Sequence, residues 1–120
     1  GPMPAWSRGR ITLLGDACHP TLPFLGQGGV MSIEDGYIVA ACLAKYFSVP
    51  ATAFARYEEI RRERTASVVK KSHENRRSAF SPALANDNAV ATEVAREWQQ
   101  ERVRERMELL YAYAATAVAV

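Results

Sequence analysis

Between Gly15 and Asp35 the chain reads Gly-Asp-Ala-Cys-His-Pro-Thr-Leu-Pro-Phe-Leu-Gly-Gln-Gly-Gly-Val-Met-Ser-Ile-Glu-Asp. An acid stands at Asp16, Pro20 and Pro23 stiffen the loop after it, and Gly26, Gly28 and Gly29 surround Gln27 where a helical pattern begins. Each part suits an oxygen-rich ligand. Small residues at a helix start let a ligand reach unpaired backbone N–H groups, and the positive end of the helix dipole favours electron-rich oxygen there. Asp16, at the carboxyl end of a short apolar run, is placed to accept hydrogen bonds from ligand hydroxyls. The spacing is not the dinucleotide fingerprint, because Gly26 and Gly28 would require a glycine at position 31, where Met31 stands. The alternative is a tight loop whose glycines merely start a helix.

Other groupings are weaker. Asp16, Cys18 and His19 offer three metal ligands within four residues and no second cluster, a poor tetrahedral cage, so no metal is expected. Cys42 falls in the apolar middle of a helix, where a buried, inert thiol is expected rather than a nucleophile for His19. Glu34 and Asp35 are adjacent and so about 100° apart around a helix. That excludes a facing catalytic pair and makes them a solvated turn beside the loop. His73, in a basic run, reads as a surface residue, and Trp98 and Tyr111 read as core anchors. No residue is assigned a catalytic role.

The elements that position the loop are set by punctuation and period. Ile11 to Leu14, between Gly9 and Gly15, reads as one short strand. From Gln27 to Phe47 the apolar residues Val30, Ile33, Tyr37, Ala41, Ala44 and Phe47 recur at spacings of three and four, which predicts a first helix with that stripe inward. Pro50 suits the first turn of a second helix, from Ala51 to about His73, with Phe54, Tyr57, Ile60 and Val68 on its apolar face. Ser81-Pro82 and Asn86-Asp87-Asn88 break the chain. Asp87 is a fitting N-cap for a long third helix carrying Val94, Trp98, Val103, Met107, Leu110, Tyr111 and Ala114. The step of five from Trp98 to Val103 makes that stripe drift.

Composition bounds the class. Hydrophobic residues at 48% and charged residues at 23% fit a globular domain and exclude a disordered chain. A single domain over residues 3–120 is expected, Gly1-Pro2 reading as the remnant of a cleaved tag. Fifteen basic against thirteen acidic residues give +2, too little to imply nucleic acid or an anionic membrane as partner. No stretch is apolar enough to span a bilayer. Two cysteines fit neither a disulfide framework nor a repeated zinc motif, so a cytoplasmic location is expected. The span 56–77 carries net +4 and 87–108 net −2. Antiparallel packing of the second and third helices is the expectation from that complementarity.

The residues Trp6-Ser-Arg-Gly-Arg-Ile-Thr-Leu-Leu-Gly-Asp-Ala-Cys-His-Pro-Thr-Leu-Pro-Phe-Leu-Gly-Gln-Gly-Gly, followed by Ser32-Ile-Glu-Asp-Gly, resemble the second flavin-binding motif of single-component FAD-dependent aromatic hydroxylases, the salicylate hydroxylase group especially. The likeness continues loosely through Ala55-Arg-Tyr-Glu-Glu-Ile-Arg-Arg-Glu-Arg-Thr, similar to the family's arginine-rich helix, and weakly to Leu110-Leu-Tyr-Ala-Tyr. Cys18 stands where the family usually has alanine, and Gly29 where it has alanine or asparagine.

The resemblance implies FAD as cofactor, reduced by a nicotinamide cofactor and used with oxygen to hydroxylate an aromatic ring. It implies that Asp16 meets a ribityl hydroxyl, that Pro23 lies beside the flavin ring, and that Gly26, Gln27, Gly28 and Gly29 form the helix start facing the flavin's pyrimidine oxygen. The family's amino-terminal Rossmann segment is absent from this sequence, so FAD binding by the chain alone is expected to be weak or absent. The expected fold is mainly α, three helices with one short residual β-strand, a fragment of an α/β flavoprotein. An alternative is a helical self-association module that keeps the motif as scaffold. A homo-oligomer, most simply a dimer, is expected. The lone strand would leave open edges, and Ile33, Tyr37, Phe47, Phe54, Ile60, Trp98, Met107 and Leu110 exceed what three helices hide.

Overall fold

The computed structural model of the chain describes residues 3–81 and 87–120, Asp87 by its backbone only. Gly1, Pro2, Pro82 and Asn86 lie outside these residues, as does the capping side chain expected at Asp87. In place of one strand there is a minimal antiparallel hairpin, β1 (Ser7–Arg8) and β2 (Ile11–Thr12), with Ser7 opposite Thr12 and Arg8 opposite Ile11. Gly9 at φ 60° supplies the left-handed backbone that turns the chain there. The edge of β2 expected to be bare is therefore half satisfied by its own neighbour.

Two 3-10 turns come next, Gly15–Ala17 and Pro23–Leu25, and then α1 (Gly28–Lys45) and α2 (Pro50–Ala79). Pro50 stands in the first turn of α2, where its missing N–H costs nothing. α2 runs one and a half turns past the expected end near His73. Toward its end Lys71 pairs with Glu74 at 3.4 Å, and Phe80 at its C-terminal cap meets Phe24 edge-on with ring centroids 6.0 Å apart.

The expected third helix is two: α3 (Asp87–Glu97) and α4 (Gln100–Tyr111). The break falls at Trp98–Gln99, where the apolar step of five displaces the stripe, and Gln99 takes an extended backbone with φ −56° and ψ 133°. Glu97 spans the break, accepting from Arg102 at 3.2 Å and Arg106 at 2.8 Å. Trp98 and Tyr111 are not core anchors; they are 73% and 66% exposed, and Leu110 is the buried residue of α4.

The core lies between α1 and α2 and is roofed by the amino-terminal segment. Trp6, Cys18, Ile38, Cys42, Ala53 and Tyr57 form it, and Ala115, Val118 and Val120 of the tail pack against it. Cys42 is fully buried, as expected of an inert thiol. The inward face of α1 is not the one read from its apolar period. Met31, Glu34, Asp35, Ile38 and Cys42 face inward, while Ile33 and Phe47 are 75% and 85% exposed and Val30 and Tyr37 are exposed as well. The expected stripe is one helical step away from the true one, because two acids belong to the buried face.

The charge complementarity of the second and third helices is not used between them. Among the described residues every ion pair of α2's exposed face is internal, Arg56 with Glu59 and Arg62 with Glu58, and those of α3 and α4 are shared between these two helices alone. No described helix is long and apolar enough to cross a membrane.

α2 also ties down the loop. Glu58 accepts from the backbone N–H groups of Trp6 and Ser7 at 3.0 and 3.1 Å, Tyr57 donates to the Leu13 carbonyl at 3.3 Å, and Ser72 donates to the Leu22 carbonyl at 2.7 Å. The segment from Trp6 to Leu22 is thereby held along one helix.

Candidate functional site

The first 3-10 turn begins at Gly15, whose φ of 62° is barred to most side chains. A Cβ there would meet Ser32 Oγ at 2.5 Å, so the turn and α1 touch backbone to side chain. The Gly15 carbonyl accepts from the N–H groups of both Cys18 and His19 at 3.0 Å. Asp16 is thus carried on a rigid turn with its side chain exposed. A Cβ on Gly28 would stand 3.6 Å from Asp16 Oδ1 and 3.3 Å from Thr21 Cγ2, which places the carboxylate at the amino-terminal end of α1. Among the described residues that carboxylate has no hydrogen-bond partner.

The second 3-10 turn, with Pro23 at its start, closes at Gly26 with φ 62° and delivers the chain into α1. Pro23, Gly26 and Gly29 are exposed, Gly28 is half-buried and Gln27 is buried. The first bond of α1 runs from Met31 N–H to the Gln27 carbonyl, and Gln27 gives no side-chain cap. The N–H groups of Gly28, Gly29 and Val30 are the helix's free donors. Among the described residues, a Cβ on Gly29 would meet nothing within 4 Å, and the buried Gln27 Oε1 lacks a partner. The six residues expected from the sequence, Asp16, Pro23, Gly26, Gln27, Gly28 and Gly29, therefore belong to the two turns and the start of α1. Open donors beside an unpartnered carboxylate fit a neutral ligand that presents both hydroxyls and electron-rich oxygens, as a flavin and its ribityl chain do.

Behind this surface lies a buried charge cluster that the sequence does not announce. Glu34 and Asp35 are not a solvated turn. Asp35 is fully buried, its Oδ2 accepting from Gly15 N–H at 3.0 Å and lying 2.6 Å from His19 Nε2, its Oδ1 accepting from Arg61 Nε at 2.7 Å. Arg61, also fully buried, donates to Glu34 Oε2 at 2.6 Å, and Arg64 reaches Glu34 Oε1 at 3.3 Å. Tyr113 of the tail covers both guanidinium groups at 5.1 and 4.9 Å from its ring centroid. Arg64 also donates to the carbonyls of Leu109 and Leu110. Two acids and two arginines thus balance under the motif. The signal that could have found them is the helical spacing 31, 34, 35, 38, 42 together with the arginine pair three residues apart on α2.

The electrostatics are set by burial and pairing. Burial by itself would raise the Asp35 carboxyl, but the hydrogen bonds from His19, Arg61 and the Gly15 N–H outweigh it and hold it below the usual range. Burial would lower Arg61, yet its bonds to the acids raise it. Burial, with the Asp35 charge second, pushes the Cys18 thiol up to about 11. Cys18, His19 and Asp35 do bring three ligand atoms within 4.8 Å of one another, whereas Asp16 is exposed and not among them. Both Asp35 oxygens are taken by donors, and a thiol so hard to ionise is a weak ligand. His73 is exposed, as expected.

These shifts make stability depend on pH. Asp35 has a depressed pKa in the fold, so its contribution is fully present above its unfolded value of about 4 and is lost as pH falls through the lower folded value. Cys18 is raised, so its contribution is present below about 8.5 and lost as pH climbs toward 11. Urea unfolding followed by circular dichroism should give a midpoint that is level between about pH 5 and 8 and declines on both sides. A midpoint unchanged between pH 5 and pH 2.5 would remove Asp35 from this account.

Comparisons with known proteins agree with the geometry. Residues 3–72 match the family model described as FAD binding domain. The chain is 51% identical over 75 residues to 6-hydroxynicotinate 3-monooxygenase of Pseudomonas fluorescens, covering 62% of this chain and 20% of that protein. It is 44% identical over 72 residues to aurachin C monooxygenase/isomerase of Stigmatella aurantiaca, 60% of this chain and 18% of that one. Over 112 residues it is 35% identical to 3-hydroxybenzoate 6-hydroxylase of Polaromonas naphthalenivorans, 93% of this chain and 28% of the relative. The chain spans about a fifth of the length of the first two relatives.

Proposed function

Because the chain belongs to the FAD binding domain family, we propose that it supplies the ribityl- and ring-edge-holding face of an FAD-dependent aromatic hydroxylase. The observation that carries this reading is the unpartnered Asp16 carboxylate set against the open glycine start of α1. Asp16 accepts from a ribityl hydroxyl. The N–H groups of Gly28 and Gly29 face an electron-rich flavin oxygen, where the helix dipole stabilises negative charge. Pro23 flanks the ring, and Gln27 fixes the helix entry. When bound, FAD supplies the redox and oxygen chemistry of hydroxylation, with a nicotinamide cofactor as reductant. The relatives named for hydroxynicotinate and hydroxybenzoate point to an aromatic ring as substrate class. Adenine and pyrophosphate require a Rossmann portion that this sequence does not contain, supplied on further polypeptide.

The purified chain should be colourless and bind FAD weakly. Co-expression with the amino-terminal portion of a family member should give a yellow complex that oxidises the nicotinamide cofactor. Asp16→Ala in that complex should weaken FAD roughly tenfold to a hundredfold, the worth of one charge-assisted hydrogen bond. A complex whose FAD affinity is indifferent to Asp16→Ala would defeat the reading. Self-association is a second reading, favoured by the exposed Val30, Ile33 and Tyr37 of α1 and Phe47 just beyond it. Light scattering of the isolated chain separates them. A mass of 13.3 kDa that does not change with concentration leaves only the first, and a dimer indifferent to both FAD and the amino-terminal portion favours the second.

A further inference from the structure

We infer that Asp35 is the positioning residue of the flavin-facing surface, a role that rests on the reading above: its carboxylate captures the Gly15 amide and so fixes the Asp16 turn against the start of α1. The geometry has three parts. Asp35 lies two turns into α1, so whatever its carboxylate holds is held relative to that helix's amino-terminal end. One of its oxygens takes the N–H of Gly15, the residue directly before Asp16, at 3.0 Å. Gly15's own carbonyl takes the N–H groups of Cys18 and His19, and His19 Nε2 returns to the same Asp35 oxygen at 2.6 Å. The turn is closed at both ends on one carboxylate, with Asp16 between them exposed beside Gly28.

Arg61 is what aims that carboxylate. Its Nε fills the other oxygen at 2.7 Å and its Nη2 binds Glu34 at 2.6 Å, so the Asp35 side chain cannot rotate without breaking a buried ion pair. An ionised acceptor binds a backbone N–H more tightly than a neutral one does. The charge therefore serves placement, and Asp35 itself touches no ligand. A carboxylate that serves only packing would not need to select the amide next to Asp16, and its loss would weaken flavin contacts whether or not Asp16 were present.

A double-mutant cycle on the 15N-labelled chain tests this, using Asp35→Asn, Asp16→Ala and the two combined. Amide exchange of Gly15 is followed by NMR on the chain, and affinity for FAD by flavin fluorescence anisotropy on its complex with the amino-terminal portion of a relative. Asp35→Asn should speed Gly15 exchange at least tenfold while amides in the middle of α2 keep their protection. It should weaken FAD about tenfold when Asp16 is present and less than twofold in the Asp16→Ala background, because coupled residues are not additive. Should Asp35→Asn alone fail to fold, the charge-balanced pair Asp35→Asn/Arg61→Gln carries the same expectations without the excess buried positive charge. Equal weakening in both backgrounds, or unchanged Gly15 exchange, overturns the inference. Faster Gly15 exchange with no FAD binding by the wild-type chain, alone or with the amino-terminal portion of a relative, instead overturns the flavin reading and leaves the clamp standing.

Discussion

Arg61→Ala should destabilise the chain by about 3–5 kcal/mol, the cost of leaving buried charge without its partner. The arginine is fully buried and holds Asp35 at 2.7 Å and Glu34 at 2.6 Å. Its removal strands Asp35 with only His19 and one backbone amide. Arg64 remains for Glu34, at a longer 3.3 Å, and that contact limits the loss. For a domain whose whole stability is of the order of 5–15 kcal/mol, that loss removes a large share of it and lowers the unfolding midpoint strongly. Arg61→Lys should recover only part, since one ammonium on a flexible stem cannot bridge two carboxylates as a planar guanidinium does. Urea unfolding by circular dichroism measures both. An Arg61→Ala midpoint within experimental error of the wild type would show that the network contributes nothing net to folding.

Gly15→Ala should cost about 3 kcal/mol through two separable causes. A left-handed backbone costs an L-residue about 1–2 kcal/mol, and the new methyl would stand 2.5 Å from Ser32 Oγ, an overpacking typically costing about 1–3 kcal/mol. Ser32 is not free to yield, because its hydroxyl donates to the Gly28 carbonyl at 3.0 Å and its Cβ would itself lie 3.3 Å from the new methyl. The double variant Gly15→Ala/Ser32→Ala should therefore regain the overpacking part and retain the backbone part. If the double variant is no more stable than Gly15→Ala, the close approach of the turn to α1 is not the source of the loss. Gly26→Ala makes the control. It has the same φ of 62° and open space around its Cβ, so only the backbone cost should appear.

Much of the site is legible in the order of the amino acids. The run of acid, prolines and glycines from Asp16 to Gly29 points to the ligand class and to candidate residues for it, because hydroxyl binding and a bare helix start are local chemistries that a short segment can encode. Pro50 marks the start of α2 for the same local reason, and a lapse of the apolar period foreshadows the break after Trp98. The Arg10 to Leu14 run is legible as extended, but its hairpin partner at Ser7–Arg8 is too short and too polar to register.

The errors share one cause. Apolar periodicity assigns Val30, Ile33, Tyr37 and Phe47 to the inside of α1 and leaves Glu34 and Asp35 in water, whereas the helix presents the acids inward and the apolar stripe outward. Trp98 and Tyr111 fail by the same assumption, that large apolar residues mark the core. The mainly helical character, the flavin motif with the six residues proposed to face its ligand, and the arginine-rich helix are readable from the amino acids alone, since each is written within about twenty consecutive positions. Packing alone brings Asp35 and Arg61, twenty-six residues apart, together to neutralise one another beneath the motif, and lays Tyr113 over Arg61 from the far end of the chain. A buried charge is tolerable only with its partner present, and which partner arrives is fixed by how α1, α2 and the tail pack, which no local pattern records.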